Sequence, residues 1–143
     1  MTDIFSVQGK IDRLEQKFSS LPLLEDRYHL LIEMGRALPP YPAEWKMEKY
    51  LVKGCQSTLY LHAECKKGIL YYAATSDALI SAGLAALLLA VYNGETPEAI
   101  LKTPLTFLQK FNLHASLSPM RSNGLDHLHR QMVREALHFL TNS

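Results

Sequence analysis

At 143 residues the chain is long enough to bury a core without disulfide or metal staples, and one domain spanning 1–143 is expected. Its 15 Lys and Arg stand against 14 Asp and Glu, a formal net charge of +1. That excludes the basic excess that would recruit nucleic acid or an anionic membrane, so partners must be recognised through local patches.

The chain reads as helices, then a small sheet, then helices. Val7, Ile11, Leu14 and Phe18 recur at helical spacing, as do Leu24, Tyr28, Leu31, Ile32 and Leu38, which predicts two amphipathic helices. Pro39-Pro40-Tyr41-Pro42 stops the second, because proline lacks the helix donor and biases its predecessor toward extended angles; an extended connector to about Glu44 follows. Residues 47–52, 56–63 and 69–74 are short and rich in Tyr, Leu, Val and Ile. They predict three strands with tight turns at Lys53-Gly54 and Lys66-Lys67-Gly68, an antiparallel meander. Thr75-Ser76-Asp77 is placed to cap the next helix, and Asn93-Gly94 to end it. That helix, residues 78–92, is strongly apolar but carries Ser81 and Gly83 and falls short of the roughly 20 residues that span a bilayer; it reads as a core helix.

Thr96-Pro97, Thr103-Pro104 and Ser118-Pro119 each set a hydroxyl residue before proline, the arrangement of a helix start, and predict helices at 97–102, at 104–110 and to the C-terminal end. The last aligns Leu125, Leu128, Met132, Ala136 and Phe139 in one stripe suited to packing on the sheet. The fold class is therefore α+β, a small three-stranded antiparallel sheet packed with several helices. There is no internal repeat or low-complexity tract.

Cys55 stands out among the polar residues. In Leu51-Val52-Lys53-Gly54-Cys55-Gln56-Ser57-Thr58-Leu59 an apolar run is broken by a small polar hexad, and Gly54 lets the chain bend and present a thiol at a turn tip. A cysteine kept for packing more naturally sits inside an apolar run. Cys65 lies roughly 30 Å away if an extended strand separates the two, far beyond disulfide reach, so both are expected as free thiols. The opening Met1-Thr2-Asp3-Ile4-Phe5-Ser6 lacks the layout of a secretory signal, which makes a reducing cytoplasm the expected compartment.

Other chemistries find less support. His127 and His129 are two apart on a helix and do not face one ligand, no HExxH or paired CxxC accompanies them, and both read as solvated surface residues. The glycines are scattered and form no phosphate loop. His62 reads as an exposed or half-buried sheet residue on the face opposite Leu59 and Leu61. Sequence spacing leaves open a Cys-His hydrolase pairing Cys55 with His62, His114 or another histidine.

Several ordered motifs resemble the SufE family: Arg27-Tyr28, Ile32-Glu33-Met34-Gly35-Arg36-Ala37-Leu38-Pro39, Gly54-Cys55-Gln56-Ser57, Ser76-Asp77-Ala78-Leu79-Ile80 leading into Gly83-Leu84, Tyr92-Asn93-Gly94, and Leu117-Ser118-Pro119-Met120-Arg121-Ser122-Asn123-Gly124-Leu125. The resemblance implies a sulfur-acceptor protein with a SufE/IscU-like fold that works with a pyridoxal-phosphate cysteine desulfurase and relays sulfur to a downstream scaffold for iron–sulfur cluster assembly. It carries no cofactor of its own, since the pyridoxal phosphate belongs to the partner, and no nucleic acid or membrane is implied. The acceptor position falls on Cys55, with Gly54 as loop hinge. Asp77 and Arg121 fall on an acidic and a basic motif position, supporting the loop or the partner contact. Tyr60 stands where the family often has tryptophan and Tyr50 where asparagine is frequent; Cys65 matches no family position.

A thiolate, not a thiol, attacks sulfur, so nearby cations favour the reaction, and Lys53 and Arg121 are the expected sources. Two rivals remain at this level. A cluster scaffold needs three or four thiolate or imidazole ligands in one place, and an independent thiol hydrolase needs a histidine within reach of Cys55.

Overall fold

The computed structural model describes residues 6–55, 57–113 and 119–142, with the backbone alone for 119–123. The chain begins with helices α1 (Val7–Ser19) and α2 (Leu24–Arg36) and passes through two 3₁₀ turns, Ala43–Trp45 and Glu48–Tyr50. A hairpin of β1 (Leu59–Lys66) and β2 (Ile69–Ser76) follows, then α3 (Leu79–Tyr92), the short α4 (Pro97–Leu101), a 3₁₀ segment Leu105–Phe111, and the long α5 (Pro119–Thr141).

Local chemistry accounts for most of these boundaries. The Ser6 hydroxyl accepts from Gly9 N–H at 3.1 Å and caps α1, whose buried Ile11, Leu14 and Phe18 are the predicted stripe. Thr96 Oγ1 likewise accepts from Ala99 N–H, with Pro97 in the first turn of α4. The hairpin turns through Lys67 and Gly68, both with positive φ (52° and 79°), and pairs Lys66 with Ile69 through to Leu59 with Ser76.

Helix α3 is apolar all round because it is central. It packs on α1, α2, α5 and the hairpin, and Leu84, Ala85, Leu87, Leu88, Val91 and Tyr92 are all buried. Its closest neighbour is α2. A Cβ on Gly83 would sit 2.4 Å from the Leu31 carbonyl oxygen, and one on Gly35 would sit 2.7 Å from Gly83 N, so two glycines bring the helix backbones together. On the far side, Leu125, Leu128, Met132 and Ala136 of α5 are buried, and the Tyr72 hydroxyl donates to the Met132 carbonyl at 2.8 Å, tying α5 to the sheet as its stripe predicts.

Among the described residues the sheet has two strands, not three. Residues 48–50 form a 3₁₀ turn in which Tyr50 N–H bonds Met47 O and Leu51 N–H bonds Glu48 O, so donors that would have served a strand are used locally. What remains of the first strand is the single bridge Leu51–Tyr60, reinforced by Val52 N–H to Leu59 O at 2.8 Å. The other edge is blunted in the same way by a bridge between Leu70 and Glu95. The connector also differs from expectation, turning at Ala43–Trp45, and the segment after Thr103-Pro104 is 3₁₀.

The prediction for the start of α3 needs correcting as well. Thr75 and Ser76 still belong to β2, Ala78 occupies the cap position without a side-chain bond, and Asp77 is engaged elsewhere.

His62 is a further correction. It does face away from Leu59 and Leu61, but the residue is only 8% exposed because the two 3₁₀ turns fold over that face. Trp45 stacks on it at 3.5 Å between centroids and Tyr50 meets it edge-on. Burial pulls its pKa down, opposed by Glu64 and Glu135.

Candidate functional site

Cys55 lies in the loop that joins the Leu51–Val52 stub to β1, closed at its base by the Val52–Leu59 hydrogen bond. The C-terminal leg is clasped to the corner between β2 and α3. Thr58 N–H donates to Asp77 Oδ1 at 3.1 Å, Asp77 N–H returns a bond to Thr58 O, and the Ser76 hydroxyl donates to that same carbonyl at 2.7 Å. Ser57 and Ser81 hydroxyls bond each other at 2.7 Å, adding a contact to α3 itself. Asp77 thus serves the loop, not the helix it precedes.

The N-terminal leg rests on α5. Gly54 has φ 91°, in the left-handed region where a side chain is disfavoured, and a Cβ there would lie 2.4 Å from Nε2 of His127. The Gly54 backbone therefore lies against the His127 ring. One helical turn earlier, the Cys55 thiol donates to the Gly124 carbonyl at 3.7 Å, and a Cβ on Gly124 would meet the sulfur only at ordinary contact distance, 3.5 Å.

Cys55 is half-buried, and this burial pushes its thiol pKa up from the ordinary value. Lys53 does not offset the shift: its ammonium lies 3.8 Å from the Glu48 carboxylate, and both groups are mostly exposed. Arg121 belongs to the first turn of α5, and its side chain lies outside the described residues, as does Gln56. Among the described residues, burial therefore favours the protonated, half-buried thiol.

Two of the remaining candidates are placed elsewhere in the fold. Cys65 is a free thiol on β1 opposite Leu70, and His62 is enclosed by Trp45 and Tyr50. His114 lies outside the described residues. His129 is not the solvated residue expected. Its ring packs against Tyr92, its Nε2 is buried with no hydrogen-bond partner among the described residues, and burial lowers its pKa, opposed by Asp126 and by a hydrogen bond with the Thr103 backbone. Among the described residues no three of His, Cys, Asp and Glu converge where a metal ion could be held, and no helix is long and apolar enough to cross a membrane.

Sequence reasoning missed His127 and Ser81 as neighbours of the loop. Neither contact has a local signal, because each depends on how α3 and α5 dock. The only hint is that Gly124 stands in the Ser118-to-Leu125 motif.

The SufE family, described as an Fe-S metabolism associated domain, matches residues 12–136. The chain belongs to the SufE family. It is 35% identical over 113 residues to a SufE-like protein of Synechocystis sp., covering 79% of this chain and 71% of that one. It is 32% identical over 131 residues to the sulfur acceptor protein CsdE of Escherichia coli, covering 90% and 89% of the two chains. A solution structure of a protein from Thermus thermophilus matches with a TM-score of 0.78 at 28% identity, over 92% of this chain and 96% of that one. The SufE motifs accordingly meet in space: Gly54-Cys55, Ser76-Asp77 and Gly124 surround one loop.

Proposed function

We propose that this chain is a cytoplasmic sulfur acceptor in which Cys55 takes sulfur from a pyridoxal-phosphate cysteine desulfurase, stimulates that enzyme, and relays the sulfur to a scaffold for iron–sulfur cluster assembly. The observation that carries the reading is a lone thiol at a loop tip, held against a backbone carbonyl. A carbonyl accepts a hydrogen bond but cannot take up the proton, and among the described residues no histidine hydrogen-bonds the thiol, although the His127 ring packs on neighbouring Gly54. Membership of the SufE family and likeness to a sulfur acceptor support the same reading.

The transfer is a thiol exchange. Cys55 leaves the Gly124 carbonyl, loses its proton to solvent, and its thiolate attacks the terminal sulfur of a cysteine persulfide on the desulfurase. The new bond joins Cys55 Sγ to that sulfur, the sulfur–sulfur bond on the donor breaks, and the donor cysteine departs as thiolate. No external oxidant or reductant is consumed. Opening the loop removes the desolvation that keeps the thiol protonated, so attack is coupled to release from α5. Asp77 keeps the other leg anchored while this happens.

Mass spectrometry after incubation with desulfurase and cysteine is expected to show one added sulfur on Cys55, lost in Cys55→Ser. Sulfur confined to Cys65 would refute the assignment.

A further inference from the structure

Beside the acceptor loop, between the Glu48–Tyr50 turn and the middle of α5, lies an open groove of about 770 Å³. Lys49 and Lys53 stand on one wall and Arg130 and Arg134 on the other, with Glu48 the sole carboxylate among the lining residues. In the chain as a whole cations exceed anions by one, so this concentration is local. Gly54 and His127, which hold the N-terminal leg of the loop, form one end of the groove, and half-buried Leu51 adds an apolar contact point beside the buried Val52.

We propose that this groove seats an acidic, partly apolar peptide segment of the protein that exchanges sulfur with Cys55. This rests on the acceptor reading and adds to it the chemistry by which the partner is held. Arg130 and Arg134 are one turn apart on α5, about 6 Å between side-chain origins, a spacing suited to successive carboxylates on one face of a peptide. The Lys53–Glu48 pair is exposed and contributes little to stability, so Lys53 is available to an incoming carboxylate at small cost. A small free anion fits less well, because sites for small molecules are enclosed and mostly apolar, whereas this one is open and ringed by charge. Nucleic acid is disfavoured because four cations on a nearly neutral protein give neither the field nor the track of phosphate contacts that binding requires. Because the groove ends at Gly54 and His127, an occupant there also adjoins the leg that must move to release the thiol.

The test needs no desulfurase, so it can fail while the acceptor reading stands, and the sulfur-loading experiment can fail while this one succeeds. The full-length protein is titrated by NMR with an N-acetylated ten-residue peptide of alternating glutamate and leucine. In parallel titrations the probe is a lysine–leucine peptide of the same length, inorganic phosphate, or a single-stranded oligonucleotide. The expected result is amide shifts at 49–54 and 127–134 with the acidic peptide alone, weakened by salt. Binding should fall about tenfold or more in the double variant Arg130→Glu/Arg134→Glu, which in turn gains affinity for the lysine–leucine peptide. Both arginines are exposed, so the variant is expected to keep the wild-type melting profile, which a thermal scan checks. Shifts located elsewhere, equal binding of phosphate or oligonucleotide at the same residues, or unchanged acidic-peptide affinity in a folded double variant would each overturn the proposal.

Discussion

Gly54→Ala is the most informative single perturbation of the loop. At φ 91° an alanine carries a backbone penalty of about 1 kcal/mol or somewhat more. Its Cβ would also lie 2.4 Å from the His127 ring, where ordinary contact begins near 3.4 Å, so ring or loop must move by about 1 Å. His127 is a partly exposed side chain that can turn aside, which keeps the steric part to about another 1 kcal/mol. The expected loss of unfolding free energy is therefore about 2 kcal/mol, measured by urea denaturation with the slope unchanged. The same displacement lifts the N-terminal leg off α5 and breaks the contact of Cys55 with Gly124. Iodoacetamide alkylation of Cys55 should then become severalfold faster, with its apparent pKa lowered toward the free-cysteine value of about 8.5. In the wild type that apparent pKa should lie above the free value. The sign follows from burial: the folded state holds the proton more tightly than the unfolded state, so this group's contribution to stability is intact at neutral pH and is lost as pH rises past the unfolded thiol value. Adding His127→Ala relieves the steric part alone, so the double variant should be more stable than the two single effects predict, by up to about 1 kcal/mol. Additive effects, or a stable Gly54→Ala protein with unaltered thiol reactivity, would refute the idea that the loop is closed by Gly54 lying on α5.

Asp77→Ala removes the acceptor for Thr58 N–H and should cost about 1 kcal/mol and speed alkylation of Cys55, whereas Asp77→Asn, which keeps an oxygen acceptor, should retain most of both wild-type values; chemical denaturation and timed alkylation check this. His129→Leu removes a buried Nε2 that has no hydrogen-bond partner among the described residues, but also the ring's hydrogen bond with the Thr103 backbone, so at pH 7.5 the variant should stay within about 1 kcal/mol of wild type. Burial lowers the pKa of His129 in the fold, so its contribution is present above the unfolded value of about 6.5 and lost as pH falls below it; the variant should show a shallower loss of stability between pH 7.5 and 5.5, measured by urea denaturation at both.

The sequence announces what is local. Helices α1, α2, α3 and α5 follow from apolar spacing, proline stops and the hydroxyl–proline start before α4, because those signals act within a turn or two of chain. The third strand fails for a tertiary reason. Tyr50 and Trp45 look like strand and connector residues, yet their rings are claimed by His62, and a 3₁₀ turn delivers them there. His62 and His129 read as surface residues on the same basis, since nothing within either segment states which element will cover it. Cys55 itself is legible from Gly54 and the broken apolar run. Asp77 is legible as important but with the wrong bond: the helix-cap reading is the local one, and the Thr58 clasp spans 19 residues.

The two legs of the loop are held by different kinds of bond, and that difference bears on how a carrier can work. The C-terminal leg has three hydrogen bonds to the β2–α3 corner, one of them to a carboxylate, and a further hydroxyl pair to α3. The contacts described for the N-terminal leg are ring-to-backbone packing at Gly54 and one thiol-to-carbonyl bond, and sulfur is a weak donor. Strain or a partner acting on the loop therefore frees the Cys55 side first, while Asp77 keeps the far leg in register with the core. Burial in the closed site disfavours the thiolate, and on the acceptor reading proposed above a leg lifted from α5 is expected to relieve that penalty. The reactive form of the sulfur is thus tied to the open loop. On the proposed acceptor reading, a carrier built this way is expected to stay unreactive toward stray electrophiles in free solution and to become nucleophilic where a partner displaces the leg, without calling on a resident base.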